Sequence, residues 1–181
     1  MIILDNLGQF RRGRIWINDL PEMRYKVVDN LTSSVKVKPK NYTRPTSLAL
    51  ELLLSRRDMS NYALLGVKFI PGNDDRVNIT VNVGEDEDEL LNDNIAMKSD
   101  NVFVGIPLEY AEAVLNSAKN VIEETSQFPS GDLEFYIGAH GESGSSKFSF
   151  SKVTEVIVKL LISAPESKNT NELETFVSSN L

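Results

Sequence analysis

The stretch GAHGESGSSK at positions 138–147 gathers residue types that hydrolytic and phosphate chemistry use. His140 is the only histidine in the chain, and Glu142, Ser145 and Ser146 follow it closely. A nucleophilic serine needs a base and an orienting carboxylate in fixed geometry, which neighbours along one loop rarely reach. A Gly-x-Ser-x-Gly elbow is missing, because GESGS lacks the second glycine at the right place. A phosphate loop needs four residues between its glycines and then Gly-Lys-Ser/Thr. Here Gly138 and Gly144 are separated by five residues, Ser145 stands where the lysine belongs, and Glu142 would repel a phosphate. One histidine cannot supply the usual two or three histidine ligands of a zinc site. The segment therefore reads as a Gly/Ser loop with a solvated histidine, and Ser145 or Ser146 caps the helix that follows. Gly138, His140, Ser145 and Ser146 form a candidate loop site with no catalytic, metal or cofactor role assigned to them.

A second chemical feature is GEDEDELLND at 84–93, with consecutive carboxylates from Glu85 through Asp86, Glu87 and Asp88 to Glu89. Calcium loops space their carboxylates around a tight glycine, and this run has none inside it. Adjacent side chains on an extended segment point to alternate sides and cannot converge on one ion. The run is either a solvated loop or an acidic patch that attracts a basic partner and repels nucleic acid. Asp93, with Asp74 and Asp75, would enlarge that patch if the fold brings them near. The partner-binding expectation therefore rests on Glu85, Asp86, Glu87, Asp88, Glu89 and Asp93.

Cationic residues concentrate in the first third. Arg11, Arg12 and Arg14 are followed by Lys36, Lys38, Lys40 and Arg44, with Trp16, Tyr25 and Tyr42 interleaved. Such a set could touch phosphates while aromatic rings stack on bases. The alternation around Trp16 makes it a core residue rather than a stacking platform. A basic nucleic-acid face is thus a second expectation.

These candidates need elements to position them. Positions 1–44 are strand-rich, with short β-branched or aromatic runs at IIL, RIWIN, YKVV and SVKVKP. The leucine-rich stretch at 46–57 reads as a helix, capped by Thr46 or Ser47 and closed by Arg56 and Arg57. Two apolar runs around NDDR predict a hairpin over 63–84, in which Val77, Ile79, Val81 and Val83 face the core. Residues 101–164 predict a β-α-β-α unit. Its first helix carries Leu108, Ala111, Leu115, Ala118 and Ile122 on one stripe, and its second carries Phe150, Val153, Ile157 and Leu160. Residues 165–181 form a polar tail with a short helix from Asn171. The pattern predicts one α+β domain over 1–164: a two-layer sandwich of a mostly antiparallel sheet with helices on one face.

Composition sets the remaining bounds. The net charge is −7 and no cysteine is present, so thiol chemistry and disulfides are excluded. Residues 1–60 carry 11 Lys/Arg against 6 Asp/Glu, and residues 61–181 carry 8 against 20, an asymmetry that suits charged partners. The N-terminal apolar run is short and precedes the basic residues, the reverse of a secretory signal. No apolar stretch is long enough to span a bilayer. The expectation is a soluble, cytoplasmic protein with no membrane partner.

The segments GIPLEYAEAV at 105–114 and DLEFYIGAHGESGSSKFSF at 132–150 resemble domain IV of translation elongation factor G, in sequence and in the spacing between them. The resemblance implies a ribosomal-protein-like β-α-β unit and places Gly138, Ser145 and Ser146 in the loop near the tip that enters the decoding region. His140 falls one place from the family's loop histidine. In size, lack of cysteine and acidity the chain is also similar to bacterial immunity proteins that neutralise toxin nucleases. The two expectations are a non-enzymatic protein binder acting on a basic partner, such as an inhibitor or immunity protein, and an RNA- or ribosome-associated module.

Overall fold

The computed structural model describes residues 1–39, 46–55, 60–125 and 127–181. Among them are eight strands and three α-helices. The strands are β1 (Ile2–Leu4), β2 (Arg11–Ile17), β3 (Asp29–Lys36), β4 (Thr46–Leu54), β5 (Tyr62–Pro71), β6 (Arg76–Val83), β7 (Val102–Val104) and β8 (Gly131–Gly141). The helices are α1 (Leu108–Glu124), α2 (Lys147–Leu161) and α3 (Thr170–Ser179). The strands form one sheet in the order β1-β2-β4-β5-β8-β6-β3, with β7 pairing the end of β8. Every pairing is antiparallel except β6 with β8. The α+β class and the two-layer arrangement are as the sequence predicts.

The stretch from Thr46 is a strand and not a helix. It lies between β2 and β5 and is buried along nearly its whole length. Leu48, Leu50, Leu52 and Leu54 face the helices, whereas Leu53 belongs to a second apolar cluster on the opposite face. A strand covered on both faces loses its period-two alternation, so its leucines imitate a buried helix. The expected caps at Arg56 and Arg57 lie outside the described residues.

The predicted hairpin over 63–84 is also corrected. β5 and β6 do not pair; β8 runs between them, antiparallel to β5 and parallel to β6. The insertion begins at Gly131, which faces both Pro71 and Val77. Gly131 has φ +150°, and a Cβ there would collide with the Ile70 carbonyl oxygen, so only glycine fits the head of this strand. The backbone of Ser130 holds the connecting turn through Gly72 N–H at 3.0 Å. The order of elements over 101–164 is β-α-β-α as expected, but the strand parallel to β8 is β6, with α1 on the crossover.

The main core lies between the sheet and the helices. Ala111, Val114 and Ile122 of α1 and Phe150, Val153 and Ile157 of α2 meet the alternate residues of β4, β5, β6 and β8. The tail is docked rather than loose: Leu173 and Val177 of α3 join this core, and Asn169 caps the helix by accepting from Glu172 N–H at 3.0 Å. Buried Glu174 accepts from the Asn6 side-chain amide at 3.0 Å and from the backbone amides of Asn6 and Asp5 at 3.0 and 2.8 Å, and these bonds, the Asn6 side chain foremost, hold its carboxyl below the usual range. The opposite face of the sheet is covered by chain connections that place Leu20, Met23, Leu91 and Ile95 over Tyr62, Leu64 and Ile137. Among the described residues, no helix is long and apolar enough to cross a membrane.

Candidate functional site

The acidic run links β6 to β7. Glu85, Asp86, Glu87 and Glu89 are exposed and Asp88 is half-buried. Five like charges repel one another, so a loop of this composition needs backbone anchors to hold one shape. It has several. Leu90 bridges Phe103, Val104 N–H donates to Glu89 O at 2.8 Å and Leu91 N–H donates to Val102 O at 2.8 Å. Lys26 adds an exposed ion pair to Glu85 at 3.1 Å.

His140 is a further anchor, and its position corrects the solvated-loop expectation. β8 extends to Gly141, so His140 sits on a strand, only 4% exposed. Its Nδ1 lies 3.1 Å from Gly105 O and its Nε2 lies 2.8 Å from Asp86 O. Both partners are acceptors. The neutral ring can donate to one of them, and the imidazolium to both. The rings of Phe103 and Tyr110 flank it, with centroids at 6.0 and 5.9 Å.

Beside His140 opens a pocket of about 170 Å³. Asp86 and Glu87 line it together with Glu109, Glu142, Phe103 and Tyr110. Glu109 stands in the first turn of α1, where the helix dipole favours a carboxylate. Glu142 follows β8 and accepts from Asn101 Nδ2 at 2.9 Å. Burial, with Glu109 as a second cause, pushes the Tyr110 phenol up to about 12. Three separate stretches of chain therefore bring carboxylates to one aromatic-walled slot. Sequence reasoning weighed Glu142 only as a neighbour of His140 and gave Glu109 no role, since nothing local shows that they join the acidic run before the strand order is known.

Asp74 and Asp75 do not enlarge the acidic run. Asp74 and Asp75 lie before β6 and the acidic run lies after it, so β6 separates them by roughly 25 Å at ordinary strand rise. Asp75 pairs instead with Lys36 at 3.9 Å. The carboxylate of Asp93 accepts from Arg14 at 2.7 Å.

Arg14 is nine-tenths buried and unavailable to a nucleic acid. Its guanidinium also binds Glu51, which is fully buried on β4, and stacks over Trp16 at 5.5 Å. Burial opposes the charge on Arg14, but the bonds to Glu51 and Asp93 outweigh it and raise its pKa further. Glu51 also accepts from the Tyr62 hydroxyl at 2.8 Å and from Ile95 N–H at 3.1 Å. This cluster clamps the 91–96 connection onto the sheet. One signal pointed to it, a lone glutamate within the apolar run TSLALELLL. The other members of the expected basic face are split between the two sides of the sheet. Arg11 and Arg12 are on β2 and Lys36 is on β3, with four strands between them, roughly 24 Å. Lys38 follows β3 and is exposed. Lys40, Tyr42 and Arg44 lie outside the described residues.

The remaining loop residues are structural. Ser145 Oγ donates to Tyr62 O at 2.6 Å and accepts from Gly141 N–H at 2.8 Å. Ser146 caps α2 in a reciprocal box with Ser149. A Cβ on Gly138 would strike Ile106. His140 and Ser145 bond different partners, and neither bonds Glu142, so the residues of a triad are not assembled. The loop does hold an anion, but an internal one: Asp100 accepts from Ser143 N–H and Gly144 N–H, both at 2.9 Å. Among the described residues, no group of three or more His, Asp or Glu is placed to hold a metal ion. No protein-family model, curated protein or solved structure matches the chain.

Proposed function

We propose that this chain is a binding protein that engages a basic protein partner through the acidic end of its sheet, as an inhibitor of the immunity type does. One observation carries the reading: Asp86, Glu87, Glu109 and Glu142 line one pocket with Phe103 and Tyr110. Asp86 and Glu87 lie on a loop tied to the sheet, Glu109 on α1 and Glu142 directly after β8, so little order has to be gained on binding. Aromatic walls beside carboxylates suit a lysine or arginine side chain, by charge and by cation–π contact. The exposed carboxylates around the pocket would speed encounter with a positively charged surface. A toxin nuclease is a partner of that kind, since its substrate face must be basic. The RNA-associated reading has less support, because Arg14 is buried and four strands separate Arg11 and Arg12 on β2 from Lys36 on β3.

The test is a pull-down from source cells at low and high salt, with the chain compared against a variant in which Glu85, Asp86, Glu87, Asp88 and Glu89 are Ser or Asn. The reading expects a basic protein retained at low salt and lost from the variant. Association of that partner should slow in the variant and lose much of its salt dependence. Equal retention and equal kinetics for both forms would end the proposal. Recovery of RNA with ribosomal proteins would favour the alternative.

A further inference from the structure

A separate cleft of about 970 Å³ opens where β2 begins and β4 ends. Its volume is that of a site for a small organic ligand. Phe10, Arg11, Arg12, Ser60 and Met97 line it. Three observations distinguish it from an ordinary surface hollow.

The first is Ser60. Its hydroxyl is buried and, among the described residues, has no hydrogen-bond partner. Buried polar atoms are nearly always paired, and an orphan calls for an explanation such as an absent ligand. The second is Phe10. It adopts a left-handed backbone with φ +62°, and its ring is 67% exposed. A non-glycine residue held in that region is strained, and here no burial of the ring offsets it. The third is charge. Among the described residues, neither Arg11 nor Arg12 forms an ion pair, in a chain that carries a net −7. Asp100 borders the cleft as well, and its oxygens accept from the amides of Ser143 and Gly144. Among the described residues Asp5 is the other carboxylate on the lining, and neither it nor Asp100 pairs with the two guanidiniums.

We propose that this cleft binds a small organic phosphate monoester. Guanidinium forks match phosphate oxygens in a bidentate manner. A phosphate offers three oxygens, enough for Arg11, Arg12 and the Ser60 hydroxyl. Phe10, Leu53 and Met97 provide the apolar side of the cleft for the body of the ligand. The inference is independent of the acidic surface: it uses other residues.

Phenyl phosphate is the probe, titrated against the labelled full chain and followed by amide chemical shifts. The expected result is saturable movement at Phe10, Ser60 and Gly144. Arg11→Gln with Arg12→Gln should weaken binding by about tenfold or more, and Ser60→Ala by several-fold, as loss of charge-assisted and neutral bonds predicts. Phenol and benzylamine should bind far more weakly than phenyl phosphate. The variant lacking the acidic run should bind it as the parent does. No saturable shift at those amides would overturn the proposal, and so would equal binding of benzylamine. Unchanged affinity in the folded double arginine variant would overturn it as well.

Discussion

The Nε2 atom of His140 on β8 lies 2.8 Å from the carbonyl oxygen of Asp86, the second residue of the acidic run. The only histidine in the chain thus holds the backbone of its most charged loop. His140→Ala would leave Gly105 O and Asp86 O without this donor in a largely buried setting. The expected loss is about 1–3 kcal/mol of stability, read by urea unfolding. Amide exchange at Leu91 and Val104, whose bonds pin the same loop, should quicken. Unchanged exchange at those two amides would show that the ring is not the tether.

The Arg14–Glu51 pair gives a second prediction. Removing one member leaves a buried charge without its partner, so Arg14→Met should cost about 3–5 kcal/mol. Adding Glu51→Leu should return part of that loss, because two apolar side chains need no ionic partner. The double-mutant cycle measures the coupling. Simple additivity of the two changes would mean that the pair is not interacting as its geometry states.

Alkaline pH should unfold the protein early. Tyr62 is raised by burial and then by Glu51, and Tyr25 is raised by burial and then by Glu134. Tyr110 is pushed up to about 12, chiefly by burial. A raised folded value means that the unfolded chain loses these protons first. The stability is complete below the unfolded tyrosine value of about 10 and falls as pH climbs through the folded values. Urea midpoints at about pH 9 and about pH 11 should differ strongly in that direction. A flat profile would contradict the burial of these phenols.

Asp100 is expected to matter for loop order rather than for charge. Asp100→Ala removes the acceptor of Ser143 N–H and Gly144 N–H and should cost about 1–3 kcal/mol. Asp100→Asn keeps one acceptor oxygen and should lose less. Amide exchange at Ser143 and Gly144 reads the effect directly.

Much of the architecture was legible in the sequence. The two helices of the 101–164 unit carry clean apolar stripes, and β6 alternates Val77, Ile79, Val81 and Val83 against polar residues. Failure came where burial is two-sided or pairing is non-local. The β4 leucines face two cores and lose their period. The break between β5 and β6 is dictated by a strand some fifty residues further on in the sequence, which no local pattern can report. The candidate site divided in the same way. The charges of residues 85–89 were evident, but Glu109 and Glu142 became neighbours only through the fold. His140 was read as solvated because its strand runs on past Gly138 to Gly141.

The insertion of β8 bears on how the chain is made. During synthesis β5 and β6 emerge well before the strand that lies between them, so each waits with a bare edge of unpaired amides and carbonyls. Such edges are where growing chains stick to one another. The sheet closes only after α1 has been laid down and Gly131–Gly141 has threaded between its neighbours. Assembly is therefore governed by distant pairings and is slow for a domain of this size. A chain released before residue 131 would contain most of the core residues of the sheet and none of the strand that joins its two halves.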